Sequence, residues 1–249
     1  MRRFLPLVVA TAFFAIPSRA DVSVTFTVAK SCAGMITNTK RVMYFKDAKL
    51  RIDDFAGTAV STRILDLRSG TAIIIDHEHH AAATSKLGEY GRVTAQRSAA
   101  SRITVAMRPS GEAREILGKT CNGYDLVVSS SDIRANARYW DNGDAPGSSE
   151  YHAFWKASKG RCLPVEGWSS NPIATSQNAV ISEIFRRMAE SGGIPNECEM
   201  RFELSERSPA ASHPNGVVDA LTFRIVDIST SSIADGVFAV PSGYTNESK

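Results

Sequence analysis

Asp76-His77-Glu78-His79-His80 is the stretch with the most obvious capacity for chemistry. On an extended backbone His77 and His79 project to one side. Neutral imidazoles suit zinc or copper, so these two are metal-ligand candidates. The run misses a helical His-Glu-x-x-His site because Ala81 stands where the second histidine is needed. The same residues read equally as a charged turn between two strands. Asp141-Asn142-Gly143-Asp144 has calcium-loop composition, but its glycine is at the third position and not the sixth, which reads as a turn. Asp53-Asp54 reads as a solvated strand end rather than an acid–base pair. The sequence holds no Gly-x-Ser-x-Gly, no Ser-x-x-Lys, no phosphate loop and no dinucleotide fingerprint, and His152 and His213 stand alone. The expectation is a protein without catalytic residues and without a cofactor. A hydrolase whose triad assembles only in space is the weaker alternative.

The elements that position these residues are mostly strands. Ile64–Leu67 and Ala72–Ile75 flank Arg68-Ser69-Gly70, and a turn through Asp76–His80 leads into Ala81–Leu87. This spacing predicts a three-stranded antiparallel meander. Val22, Val24, Phe26 and Val28 alternate with polar residues, as in a half-buried strand. Arg41–Phe55 reads as a bent strand or a hairpin, with Val42–Phe45 and Leu50–Ile52 as its halves and the break at Lys46–Lys49. Further strand patterns fall at Ser101–Met107, Tyr124–Val128, Ala137–Trp140, Glu199–Leu204 and Val217–Ile228. Gly88–Ala100 and Pro209–Gly216 read as loops, and Pro109-Ser110-Gly111 as a turn.

Two helices come late. Ser149–Ser158 gathers Tyr151, Phe154 and Trp155, with Gly160 as a stop. Pro172–Ser191 places Ile181, Ile184, Phe185 and Met188 on one stripe, with Glu183, Arg186, Arg187 and Glu190 facing solvent. Strands with helices inserted late give an α+β chain, mainly antiparallel β, with helices on one face of the sheet. The helical insertion is expected over about residues 134–196 of a single domain covering 21–249.

The first twenty residues have the make-up of a signal peptide. Arg2 and Arg3 precede an apolar run from Leu5 to Ile16, and Ser18 and Ala20 supply a cleavage site. A periplasmic or secreted location follows. Lys and Arg total 29 and Asp and Glu 26; the leader holds three Arg and no acid, so the remainder balances at 26 against 26. A neutral chain lacks the electrostatic footprint that nucleic-acid binding requires. Four cysteines in an exported protein predict two disulfides, with three connectivities open.

Three segments together resemble an uncharacterised bacterial exported family whose fold is similar to the lipoprotein-localisation carriers LolA and LolB. They are Ile64-Leu65-Asp66-Leu67 with Ser69-Gly70; Ile116-Leu117-Gly118-Lys119-Thr120-Cys121-Asn122-Gly123-Tyr124; and Phe238-Ala239-Val240-Pro241-Ser242-Gly243-Tyr244. The resemblance implies a curved, incomplete antiparallel β-barrel with two helices covering its concave face. It also implies an apolar ligand, a lipid or a lipidated partner held between sheet and helices. The chain is longer than that pattern between Tyr139 and Cys198, and it adds Cys162 and Cys198.

Phe26, Phe45, Phe154, Trp155, Ile184, Phe185, Met188 and Phe223 are the apolar residues expected to line such a space. The same set would serve equally as the solid core of a structural or protein-interaction module. Cys162 and Cys198 flank the longer helix, and a bond between them would close a loop of about 37 residues. Cys32 and Cys121 are then the remaining pair.

Overall fold

The computed structural model describes residues 21–32, 34–87, 103–159, 161, 163–166, 172–204 and 219–248. The leader (1–20), the loops 88–100 and 209–216, Gly160 and Cys162 lie outside the described residues. The strands are β1 (Val22–Cys32), β2 (Met35–Lys46), β3 (Lys49–Ala56), β4 (Ala59–Asp66), β5 (Thr71–Asp76), β6 (Ala81–Lys86), β7 (Thr104–Ile116), β8 (Lys119–Ser129), β9 (Ile133–Asn142), β10 (Ile194–Leu204), β11 (Ala220–Ser229) and β12 (Thr245–Ser248). Helices α1 (Ser148–Ala157) and α2 (Pro172–Glu190) fall between β9 and β10. The helical segment is therefore residues 143–193, narrower than the expected 134–196, because Ile133–Asn142 pairs into the sheet.

All the strands join one open, curved sheet in the order β12-β6-β5-β4-β3-β2-β1-β11-β10-β9-β8-β7. Every pair is antiparallel except β12, which runs parallel to β6. Tight turns set the register. Lys46 pairs with Lys49, Ala56 with Ala59 and Ile116 with Lys119, each across a two-residue turn. Left-handed backbone at Asp47, Gly57, Leu117 and Gly118 supplies the twist such turns need. The meander forms, but with Ile64 opposite Ile73 and Leu65 opposite Ala72, so the connection spans residues 67–70 and the register lies two residues from the expected match of Ile64–Leu67 with Ala72–Ile75.

Alternation then sorts side chains between two layers. Val24, Phe26, Met43, Phe45, Leu50, Ile52 and Leu65 point to the face that carries the helices and join the main core. Tyr44, Ile64, Ile73 and Ile75 point the other way, where the C-terminal segment covers them with Ile233, Phe238, Val240 and Tyr244. Helix α1 rests on β2 and β10, and α2 crosses β8, β9 and β10.

Two local expectations change. Pro109-Ser110-Gly111 does not end β7; the strand runs through it with a register shift between Pro109 and Ala113. A bulge and a proline are tolerated there because β7 is an edge of the sheet. Arg186 is 7 % exposed rather than solvated. The segment after α1 folds over that side of α2, and Arg186 donates through Nη2 to the Ser158 and Arg161 carbonyls.

Candidate functional site

The eight apolar candidates converge beneath the helices. All are 0–3 % exposed. Trp155 stacks on Phe185 at 5.1 Å between centroids, and Phe185 stacks on Phe223 at 5.4 Å. Phe26 meets Phe223 edge-on at 5.5 Å. At the other end Trp155 contacts Phe154, which contacts Phe45, both at 5.5 Å. Ile184 and Met188, on the same stripe of α2, are fully buried. The result is one continuous ring ladder joining β11, α2, α1 and β2.

Next to that ladder the same face of the sheet turns ionic. Arg41 is the cross-strand neighbour of Phe26 on one side and Asp54 on the other. Its guanidinium forks onto Asp54, with Nε at 2.7 Å and Nη2 at 3.0 Å. Through Nη1 (2.6 Å) and Nη2 (3.2 Å) it also grips Glu166, in the segment between the helices. Lys30 of β1 reaches Glu166 at 2.6 Å. Arg63 of β4 donates to Asp54. Arg41 and Arg63 are only 2 % and 3 % exposed.

Burying a charge is costly unless it is paired, and here each carboxylate has two cationic partners. Burial alone would raise the Glu166 carboxyl; Arg41 and Lys30 overcome that and hold it down at about 2. Likewise burial opposes ionisation of Asp54, but Arg41 and Arg63 pull it well below the usual carboxylate range.

Glu166 is tied firmly to the helical layer. Its backbone N–H donates to Asn178 Oδ1 at 3.0 Å. Three residues earlier, the Leu163 N–H donates to Ser182 Oγ at 3.1 Å, and both acceptors lie on α2. The ion pairs of Glu166 therefore fasten the helical layer to β1 and β2. Arg161 adds a further tether, donating through Nη1 to the Leu67 carbonyl at 2.7 Å.

The histidine cluster takes a different role on the opposite face. His77 has both ring nitrogens engaged, Nε2 with Thr62 Oγ1 at 2.9 Å and Nδ1 with the Tyr244 hydroxyl at 2.8 Å. Thr62 Oγ1 lies 2.5 Å from Asp53 Oδ1, and Arg51 Nε holds both Asp53 oxygens at 2.9 Å. A carboxylate only accepts, so Thr62 donates to Asp53 and accepts from His77 Nε2–H. In neutral His77 the Nδ1 then accepts from Tyr244, which assigns the tautomer. His79 instead turns to Asp76, its Nδ1 at 2.8 Å from Oδ2. The two imidazoles thus serve separate partners, and no group of three or more metal-ligating side chains gathers among the described residues. Asp141 and Asn142 make a turn and a helix tether, Asp141 Oδ2 accepting from Ser191 at 2.6 Å and Asn142 Oδ1 from the Asp144 N–H at 3.0 Å.

The predicted cysteine pairing needs correction. Cys121 and Cys198 carry free thiols in this structure. Cys121 accepts from Asn196 Nδ2 at 3.3 Å. Cys32 ends β1, four strands away from Cys121 on β8. At ~4.8 Å per strand that separation alone is several times the reach of a disulfide. The partner expected for Cys198, Cys162, lies outside the described residues. Burial pushes both the Cys121 and Cys198 thiols up, away from reactive thiolate character.

Asp53 and Asp54 also need correction, being buried on opposite faces and not a solvated pair. The signal was present in the alternation. Leu50, Ile52 and Asp54 share a face, as do Arg41, Met43 and Phe45, so charges stood at positions reserved for core residues. Nothing in the sequence paired Glu166 with Arg41, since their meeting depends on how the helical segment folds back.

No protein-family model matches the chain, and no curated protein matches it. Among solved structures, an uncharacterized conserved protein from Thermus thermophilus is similar at 6 % identity with a TM-score of 0.46, over 93 % of this chain and 91 % of that one. A structure of PNGF-II is similar at 9 % identity with a TM-score of 0.40, over 92 % of this chain and 31 % of that chain.

Proposed function

We propose that this protein is a non-catalytic carrier of the cell envelope that holds an apolar ligand or a lipidated partner between its sheet and its helices. The fold is read as similar to that of the LolA and LolB carriers, with the helices on the concave side of the curved sheet. One observation carries the reading: an open sheet presents an aromatic face, and two helices cover it as a separate layer tethered by a compact ionic contact. A layer attached in this way can lift as a unit and expose a large apolar surface. In the structure the ring ladder fills the space that a ligand would take. No helix among the described residues is long and apolar enough to cross a membrane.

The test is uptake of a neutral hydrophobic fluorescent probe by the purified full chain. The carrier reading expects saturable binding of about one probe per chain, released on adding lipid extract. Absence of saturable uptake would remove it. The ring-to-ring packing itself favours a second reading, a protein-interaction module with a solid core, which predicts no uptake and capture of a protein partner instead.

A further inference from the structure

We infer that Lys30, Arg41 and Arg63, beside Phe26, Met43 and Ile52, form the head-group site of an anionic single-chain amphiphile, a long-chain fatty acid, and that Glu166 occupies it as an internal stand-in for the ligand carboxylate. This rests on the carrier reading and deepens it.

The charge count comes first. At this corner, among the described residues, three cations, Lys30, Arg41 and Arg63, meet two carboxylates, Asp54 and Glu166. Asp54 is part of the sheet; Glu166 belongs to the helical layer. When that layer lifts, three cations are left with one carboxylate. Where an apolar ligand shields this corner from water, its surplus positive charge needs an anion.

Geometry then selects the ligand. The Arg41 fork already holds a planar carboxylate by two N–H donors, with Lys30 as a third. Such bidentate pairing is what distinguishes arginine recognition of a carboxylate. Among the described residues no hydrogen-bond partner reaches the buried Arg63 Nε or Thr39 Oγ1, which gives the corner unused capacity. Thr39 is two residues from Arg41 on the same face of β2.

The wall next to the corner fits an acyl chain. Arg63 lies opposite Ile52, whose other cross-strand neighbour is Met43. Arg41 lies opposite Phe26, the end of the ring ladder. An occupant with a single anionic head and a long alkyl tail satisfies both halves. A neutral glyceride satisfies only one. Lys30 and Glu166, with 22 % and 9 % side-chain exposure, mark the side from which the head group arrives.

The experiment compares binding of oleic acid and its neutral monoglyceride to the full chain and to Glu166→Gln, by displacement of the neutral fluorescent probe. The wild type is expected to prefer the fatty acid by about 10-fold, and Glu166→Gln to widen that preference by about another 10-fold while leaving the monoglyceride unchanged. Equal affinities in the wild type, or a ratio unmoved in folded Glu166→Gln, would overturn the head-group site and leave the carrier reading standing. Binding of neither lipid would remove both. Should Glu166→Gln fail to fold, the wild-type ratio alone decides.

Discussion

Glu166 shows how one side chain couples charge to architecture. Its folded carboxyl is held at about 2, below the ordinary value of 4.5, so it stabilises the fold fully above that ordinary value. The contribution is lost as pH falls from about 4.5 towards 2, and Asp54 acts in the same direction. The depression corresponds to something on the order of 3 kcal/mol. Thermal unfolding followed between pH 7 and pH 2.5 should therefore show Glu166→Gln less stable than wild type at pH 7, with the gap closing as pH drops. A gap independent of pH would contradict the ion-pair account. On the opposite face, the Tyr244 hydroxyl ends a chain through His77 and Thr62 to Asp53. Tyr244→Phe keeps the ring and removes one hydrogen bond, with an expected cost of about 1 kcal/mol. Faster hydrogen exchange of the 233–245 segment, with the helices unchanged, is the signature to measure.

At the scale of elements, helix α1 is seated by a glycine. Gly147 precedes its first turn with φ of 79°, and a Cβ there would meet Val22 Cβ at 2.7 Å. Only glycine accepts both the left-handed backbone and the contact with β1. Gly147→Ala should destabilise the protein by about 1–3 kcal/mol, read as a lowered midpoint in urea. An unchanged midpoint would mean that α1 is not anchored there. Gly123 plays the corresponding part in β8, where the Trp140 indole nitrogen would lie 2.9 Å from an added Cβ and Arg114 caps the indole ring at 3.6 Å.

These elements also show what could be read in advance. The meander, both helices and the hairpin at Lys46–Lys49 follow from period and turn chemistry, which are local. The 3-10 turn at Asp235–Phe238 and strand β12 do not, because Phe238 and Tyr244 gain their order from β3, β5 and β6 far away in sequence. The ionic corner was half legible. Inward charges on β2, β3 and β4 break the alternation, but their partner arrives from a segment with no periodic pattern.

For the whole molecule, the decisive feature is division into two layers with unlike attachments. One face of the sheet is sealed by a short C-terminal strap with its own hydrogen-bond chain. The other carries a helical layer resting on aromatic rings and held at a charged corner. A packed aromatic ladder costs several kcal/mol to open, so on the proposed carrier reading an apolar ligand has to repay the lost contacts. Phe185→Ala, at the centre of the ladder, should lower stability by about 3–5 kcal/mol. It should also raise probe uptake by leaving space beneath α2; a destabilised variant with unaltered uptake would place the ligand elsewhere.

Trp155 reports most directly on the proposed ligand position, since it stacks on Phe185 at the centre of the ladder. The measurement is quenching of tryptophan fluorescence by a neutral lipid carrying a brominated acyl chain, in wild type and in Trp155→Phe. A ligand between sheet and helices predicts saturable quenching in the wild type, most of it absent from Trp155→Phe. Quenching of equal size in the two proteins, or none in the wild type, would contradict the central claim.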